Sequence, residues 1–275
     1  MSILSMPETN VDAWFVLAQS TGGQDHAGAT MAIHYLPIAT TLICAAFVVT
    51  LLRRAASKGF PPHLVWWAFG VFTYGVGTAL ESSVTLFGNS IALNKAWYIA
   101  GALFGAWPLA QGSVYLHLRR KTAHILTVVT LLWVAAFSIA TVLSPVNMVA
   151  FEPTRPGGGI LEWTWIRFPG TPVINTYAVI FLIGGAVWSA IRFFQSQDTL
   201  NRAIGNVLIA VGATMPGVGG SMAKAGIVEA LYVGELVGII FIWFGYGFCV
   251  RTAGVTAPVT AIASPESAQP VDAAS

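Results

Sequence analysis

"VYLHLRRKTAHILTVVTLLWVAAF" (114–137) sets three consecutive basic residues, Arg119, Arg120 and Lys121, between two apolar runs. A water-soluble helical hairpin would show polar residues at helical spacing on both arms. Here the arm after Lys121 is polar only at threonines and His124. Such a pattern reads as two membrane helices joined by a short basic turn.

The same grammar extends over the chain. Of 275 residues, 56% are hydrophobic and only 9% charged, and the mean hydropathy is +0.72. Soluble domains carry roughly 25% charged residues, so this chain lacks the polar surface to cover a water-facing globule. A net charge of +2, with no basic run longer than three, gives no argument for a nucleic-acid partner, and none is expected. Cys44 and Cys249 both lie in apolar runs and read as small core or lipid-facing residues.

A spanning helix needs about 20 mostly apolar residues. Seven stretches qualify: 30–52, 64–86, 95–117, 123–143, 172–193, 203–222 and 227–250. The predicted fold is an all-α membrane protein, a seven-transmembrane helix bundle. Nine basic residues border one side (Arg53, Arg54, Lys58, Arg119, Arg120, Lys121, Arg192, Arg202, Arg251) and four the other (Lys95, Arg155, Arg167, Lys224). That asymmetry places the N-terminus outside and the C-terminus in the cytoplasm.

Residues 1–29 form an extracytoplasmic segment with a short interfacial helix expected around 11–19. Glu8 and Asp12, without a lysine or arginine, argue against a signal peptide. The Ala/Pro/Ser-rich 252–275 is expected to be a disordered cytoplasmic tail. The longest connection, 144–171, falls outside. Its Pro, Gly, Trp163 and Trp165 suit the membrane interface, as a lid, a docking surface or an ordinary connection.

Ionisable groups gather in the outer half. Glu81 lies about five residues, or roughly 7 Å, below the outer end of the second span. His34, Lys95, Lys224 and Glu229 sit near outer ends, and Glu235 lies roughly 12 Å deeper than residue 227. Buried charges face the bundle interior and find partners. Glu81 is therefore expected to line an outward-facing pocket and to pair with Lys95. Glu235 points inward or carries a proton. "GALFG" (Gly101, Gly105) and "GELVG" (Gly234, Gly238) have the spacing of close helix contacts, within the chain or in a homo-oligomer. Pro216 and Gly217 are expected to kink or break the sixth span as a hinge.

No H-E-x-x-H, G-x-S-x-G, P-loop or CxxC occurs. His34 and His117 lie toward opposite faces, so no metal or haem centre is expected. Lys224 lies at the mouth of the bundle, which disfavours retinal. The chain reads as a non-enzyme without a cofactor.

"ALESSVTLFGNSIALNKAWYIAGALFGAWPLAQGSVYLHLRRK" (79–121) resembles the seven-helix N-terminal membrane region of bacterial sensor histidine kinases. The likeness rests on Glu81 late in the second helix, Lys95 with Trp97 and Tyr98 opening the third, and Trp107 with Pro108. "LEWTWIRFPGTPVINTYAVIF" (161–181) and "NRAIGNVLIAVGATMPGVGG" (201–220) share it. The resemblance implies a multi-pass protein of a bacterial cytoplasmic membrane. Its pocket, Trp97 included, would bind a small molecule or lipid. Those proteins carry a cytoplasmic kinase or related domain, whereas only 24 low-complexity residues follow position 251 here. Output would then pass through a partner. A small-solute or proton transporter and an accessory subunit of a membrane complex are the alternatives.

Overall fold

Prolines and glycines set the boundaries of the first helices. The computed structural model describes residues 33–195 and 199–251; the expectations for 1–29 and 252–275 lie outside them. Helix α1 (Leu36–Ser57) has Pro37 in its first turn, where a missing N–H costs nothing. It ends where Gly59 takes φ 72° and the N–H of Phe60 reaches back to the Ala55 carbonyl at 2.8 Å. Pro61 and Pro62 then start α2 (Pro62–Phe87), which Gly88 closes at φ 82°.

The next segment departs from the single span expected over 95–117. Ser90 caps α3 (Ile91–Trp97) by accepting the Leu93 N–H at 3.2 Å. A π-helical turn follows at Tyr98–Leu103, closed by the Phe104 N–H on the Ile99 carbonyl at 2.9 Å. After a bend, α4 (Trp107–His117) resumes. Pro108 is the physical reason: it cannot donate to the carbonyl four residues back, and its ring excludes that carbonyl from a regular helix.

Helix α5 covers Arg120–Leu143 and α6 covers Ile166–Phe193, the latter containing π turns at Ile166–Gly170 and Val179–Gly184. Helices α7 (Leu200–Lys224) and α8 (Glu229–Arg251) complete the order. Of the kink or break expected in the sixth span, a break is absent: α7 runs through Pro216. The Gly212 carbonyl, which Pro216 cannot serve, lies against Gly238 of α8. Neighbouring helices commonly make a membrane-helix proline tolerable in this way.

Among the described residues, five helices are long and apolar enough to cross a membrane: α1, α5, α6, α7 and α8. In α2, Trp66, Trp67, Tyr74, three glycines and Glu81 dilute the hydropathy, although it runs for 26 residues. No strand occurs among the described residues; Val146 and Leu161 form one isolated bridge. Two apolar clusters hold the bundle together. One joins Phe47, Leu51, Val71, Leu109 and Ile239. The other joins Tyr98, Trp107, Val134, Ile160 and Ile166. Meanwhile Leu42, Val128, Leu132, Ile139, Ile180, Trp188 and Phe244 face outward. An apolar exterior of this extent suits contact with lipid, so the chain is a multi-pass membrane protein by composition and surface alike.

Helices α7 and α8 pack through their glycines. A Cβ at Gly205 would lie 2.5 Å from the Gly245 carbonyl oxygen, and one at Gly212 would lie 2.6 Å from that of Gly238. Gly234 lies against the Met215 carbonyl and the Gly219 Cα. The face carrying Gly234 and Gly238 is therefore filled by the chain's own α7. Gly101 backs onto Gly77 of α2, whereas Gly105 stands over the Gly101 carbonyl in the same bent segment.

Candidate functional site

A cavity of about 1090 Å³ lies among α2, the Tyr98–Leu103 turn, α6, α7 and α8. The segment 150–158 and the α7–α8 turn border one end of it. Along α2, Tyr74, Thr78 and Glu81 follow one another at four and three residues, so a single helical face supplies three polar groups. Tyr232 and Glu235 come from α8, and Trp97 from the end of α3.

Glu81 is 2% exposed. Its Oε1 accepts the Trp97 indole N–H at 2.7 Å. The expected Glu81–Lys95 salt bridge is not formed. The Lys95 ammonium donates instead to the carbonyls of Val142, at 2.8 Å, and Ser144, at 2.7 Å. Residues two apart on a helix point about 200° apart, so with Trp97 turned toward Glu81, Lys95 must face α5. There its charge meets the carbonyl end of that helix, a favourable place for a cation.

The carboxyl of Glu81 instead meets that of Glu235 within hydrogen-bonding reach. Oε2 of each has no N–H or O–H donor among the described residues. Two carboxyl groups at this separation can hydrogen-bond to each other only through a shared proton. Glu235 is half-buried because its side chain opens on the cavity. Its backbone carbonyl accepts the Tyr74 hydroxyl at 3.0 Å, which fixes α2 against α8 at this level.

The remaining expected pocket residues spread around this centre. Pro216, Gly217, Gly101 and Gly105 lie on the cavity wall, and Lys224 is exposed at its border. His34 does not line the cavity; its ring stands edge-on to Tyr232 at 5.6 Å, and its carbonyl accepts the Thr85 hydroxyl. Glu229 begins α8 outside the wall.

The long connection caps one end. Asn89 donates its side-chain amide to the carbonyls of Glu152, at 2.7 Å, and Arg155, at 3.0 Å. The Gly157 N–H reaches Asn94 Oδ1 at 2.9 Å, and Ile160 and Leu161 bury themselves in the core. Arg155 and Glu152 form an ion pair that holds the Glu152 carboxyl below its ordinary value.

Sequence reading missed Tyr74, Tyr232 and the Asn89 and Asn94 clamps. The first signal was available in the helical spacing of Tyr74, Thr78 and Glu81. A second network also went unread. Buried Gln111 accepts the Tyr177 hydroxyl at 2.6 Å and donates to Thr127 Oγ1 at 2.7 Å. His117 bridges the Ser113 carbonyl and the Ser189 hydroxyl, both at 2.8 Å. These groups tie α4 to α5 and α6, away from the cavity wall. No cluster of three or more His, Cys, Asp or Glu groups able to hold a metal occurs among the described residues.

No family model, curated protein or solved structure matches this chain.

Proposed function

We propose that the protein is a seven-span membrane sensing module, N-terminus outside and C-terminus in the cytoplasm, that binds a small molecule or lipid in this cavity and signals through a partner. The observation that carries the reading is the cavity of about 1090 Å³ with Glu81, Glu235 and Trp97 on its wall. Large, mostly apolar pockets with a few convergent polar groups are where ligands bind, and carboxyls within membrane helices mark functional sites. In this reading α2 and the broken α3–α4 segment complete the span count. The 144–165 connection then lies on the outer face, roofing the pocket. The likeness of 79–121 to sensor kinases supports sensing over transport.

Gly217 provides the test, because it borders the cavity with no atom within 4 Å of its Cβ position. Gly217→Trp should place an indole in the cavity and obstruct it from the α7 side without forcing the helices apart. Wild type, purified mildly and examined by native mass spectrometry, should carry a bound small molecule or lipid that Gly217→Trp lacks. Identical spectra for the two would remove the ligand-binding reading.

The Glu81–Glu235 pair also fits a proton-coupled transporter. Reconstituted vesicles decide between them: pH-driven solute uptake abolished by Glu235→Gln would favour transport.

A further inference from the structure

We propose that the cavity is selective for an organic cation, a primary or secondary ammonium on an apolar body, which binds between Glu81 and Glu235 and displaces the proton they share. This deepens the ligand-binding reading and rests on it. The geometry is that of an unmet demand for donors. Glu81 Oε1 is satisfied by Trp97, whereas Oε2 of Glu81 and Oε2 of Glu235 are buried beside the paired carboxyls with no donor from any other described residue. A neutral hydroxyl supplies one hydrogen and no charge. An ammonium with two or three N–H groups can donate to both carboxylates at once and offsets their charge. The rings of Trp97, Tyr74 and Tyr232 share the wall, and aromatic faces attract cations.

The surrounding charges leave that demand open. From α3, Lys95 is committed to two carbonyls on the far side. In the cap, Arg155 is paired with Glu152. Lys224 of α7 is exposed at the border, and Glu229 starts α8 outside the wall. The thiol of Cys44 on α1 feels the Glu235 charge, and the hydroxyls of Tyr74 and Tyr232 feel both carboxyls. His34 contacts Tyr232 rather than the carboxyls. No cation among these meets the pair directly.

The exchange balances. In the proposed exchange the two carboxyls hold one proton and one negative charge before binding. Afterwards two carboxylates face one ammonium, the net charge is unchanged, and one proton has left to water. Affinity therefore rises with pH, by up to about tenfold per unit while the pair retains its proton and the amine stays protonated.

The test is calorimetric titration of the full chain in lipid nanodiscs, against empty nanodiscs. The probes are 2-phenylethylammonium, its N-trimethyl analogue, 2-phenylethanol and 3-phenylpropanoate at millimolar concentration, in buffers of different ionisation heat. The primary ammonium should bind with about one proton released and at least tenfold more tightly than the other three. Glu81→Gln and Glu235→Gln should each abolish the proton release. Should either variant fail to fold, the proton count on wild type still decides.

Equal binding of the alcohol or the acid would overturn cation selectivity while leaving a ligand-binding cavity in place. Ammonium binding without proton release, or unaltered in both variants, would place it elsewhere and overturn the proposal. Binding of no probe would overturn it too, whereas the ligand-binding reading stands or falls separately on the co-purified molecule of wild type and Gly217→Trp.

Discussion

The Trp97 indole donates to Glu81 Oε1 at 2.7 Å across the gap between α3 and α2, while Lys95, two positions earlier, is bound to the carbonyls that end α5. A neutral aromatic donor thus takes the place that charge complementarity assigns to the lysine. The contact also holds one wall of the cavity, because Trp97 stands at the junction with the π-helical turn.

A double-mutant cycle in detergent follows directly. Trp97→Phe leaves a buried carboxyl oxygen without its donor and should cost about 1–3 kcal/mol. Combined with Glu81→Gln, the loss should be clearly less than additive, whereas Lys95→Met and Glu81→Gln should simply add. Thermal denaturation of wild type and the five variants measures both. Coupling with Lys95 and none with Trp97 would reverse the assignment.

The α7–α8 glycine contacts predict a sharp positional contrast. A Cβ at Gly238 would stand 2.7 Å from the Gly212 carbonyl oxygen, a backbone atom that cannot turn aside. Gly238→Ala must push the helices apart and should cost about 1–3 kcal/mol. Nothing lies within 4 Å of the same position at Gly247, also in α8. Gly247→Ala should therefore be neutral or raise the melting temperature slightly, since alanine favours helix.

Acid should loosen the cap. Arg155 holds the Glu152 carboxyl below its ordinary value of 4.5. The pair's contribution is therefore complete at neutral pH and is lost as pH falls through that lowered value. Both side chains are half-exposed, so the contribution stays under about 1 kcal/mol and acts locally. Hydrogen exchange of the 150–158 amides should accelerate in acid beyond the intrinsic chemistry, and Glu152→Gln should remove that excess. Asn89→Ala, which strips two carbonyls of their donor, should accelerate exchange there at every pH.

The orientation has its own test. In a chain carrying Cys44→Ala and Cys249→Ala, single cysteines at the exposed positions Ser57 and Thr154 should react with an impermeant thiol reagent from opposite sides of the membrane. Reaction of both from one side would dismiss the seven-span arrangement.

What the sequence determined by itself was everything that depends on one segment at a time. Apolar runs of about 20 residues, interrupted by Arg53–Arg54 and Arg119–Lys121, announce membrane helices, because transfer into lipid is a property each residue carries wherever its neighbours lie. The two carboxyl positions were legible for the same reason: Glu81 and Glu235 stand out in apolar surroundings.

Their meeting was not legible, since nothing local states that α2 lies beside α8. Tertiary packing decided that, with Tyr74 bonded to the Glu235 carbonyl as the clasp. The partner of Glu81 was decided by rotation. Trp97 and Lys95 differ by about 200° around their helix, and the angle at which that face is presented is set where the π turn and Pro108 end regular helix. The fate of Pro216 was likewise a matter of two helices. Alone it breaks the hydrogen-bond ladder, but against Gly238 the helix continues, because two glycines let α8 approach closely enough to cover the carbonyl that proline leaves free.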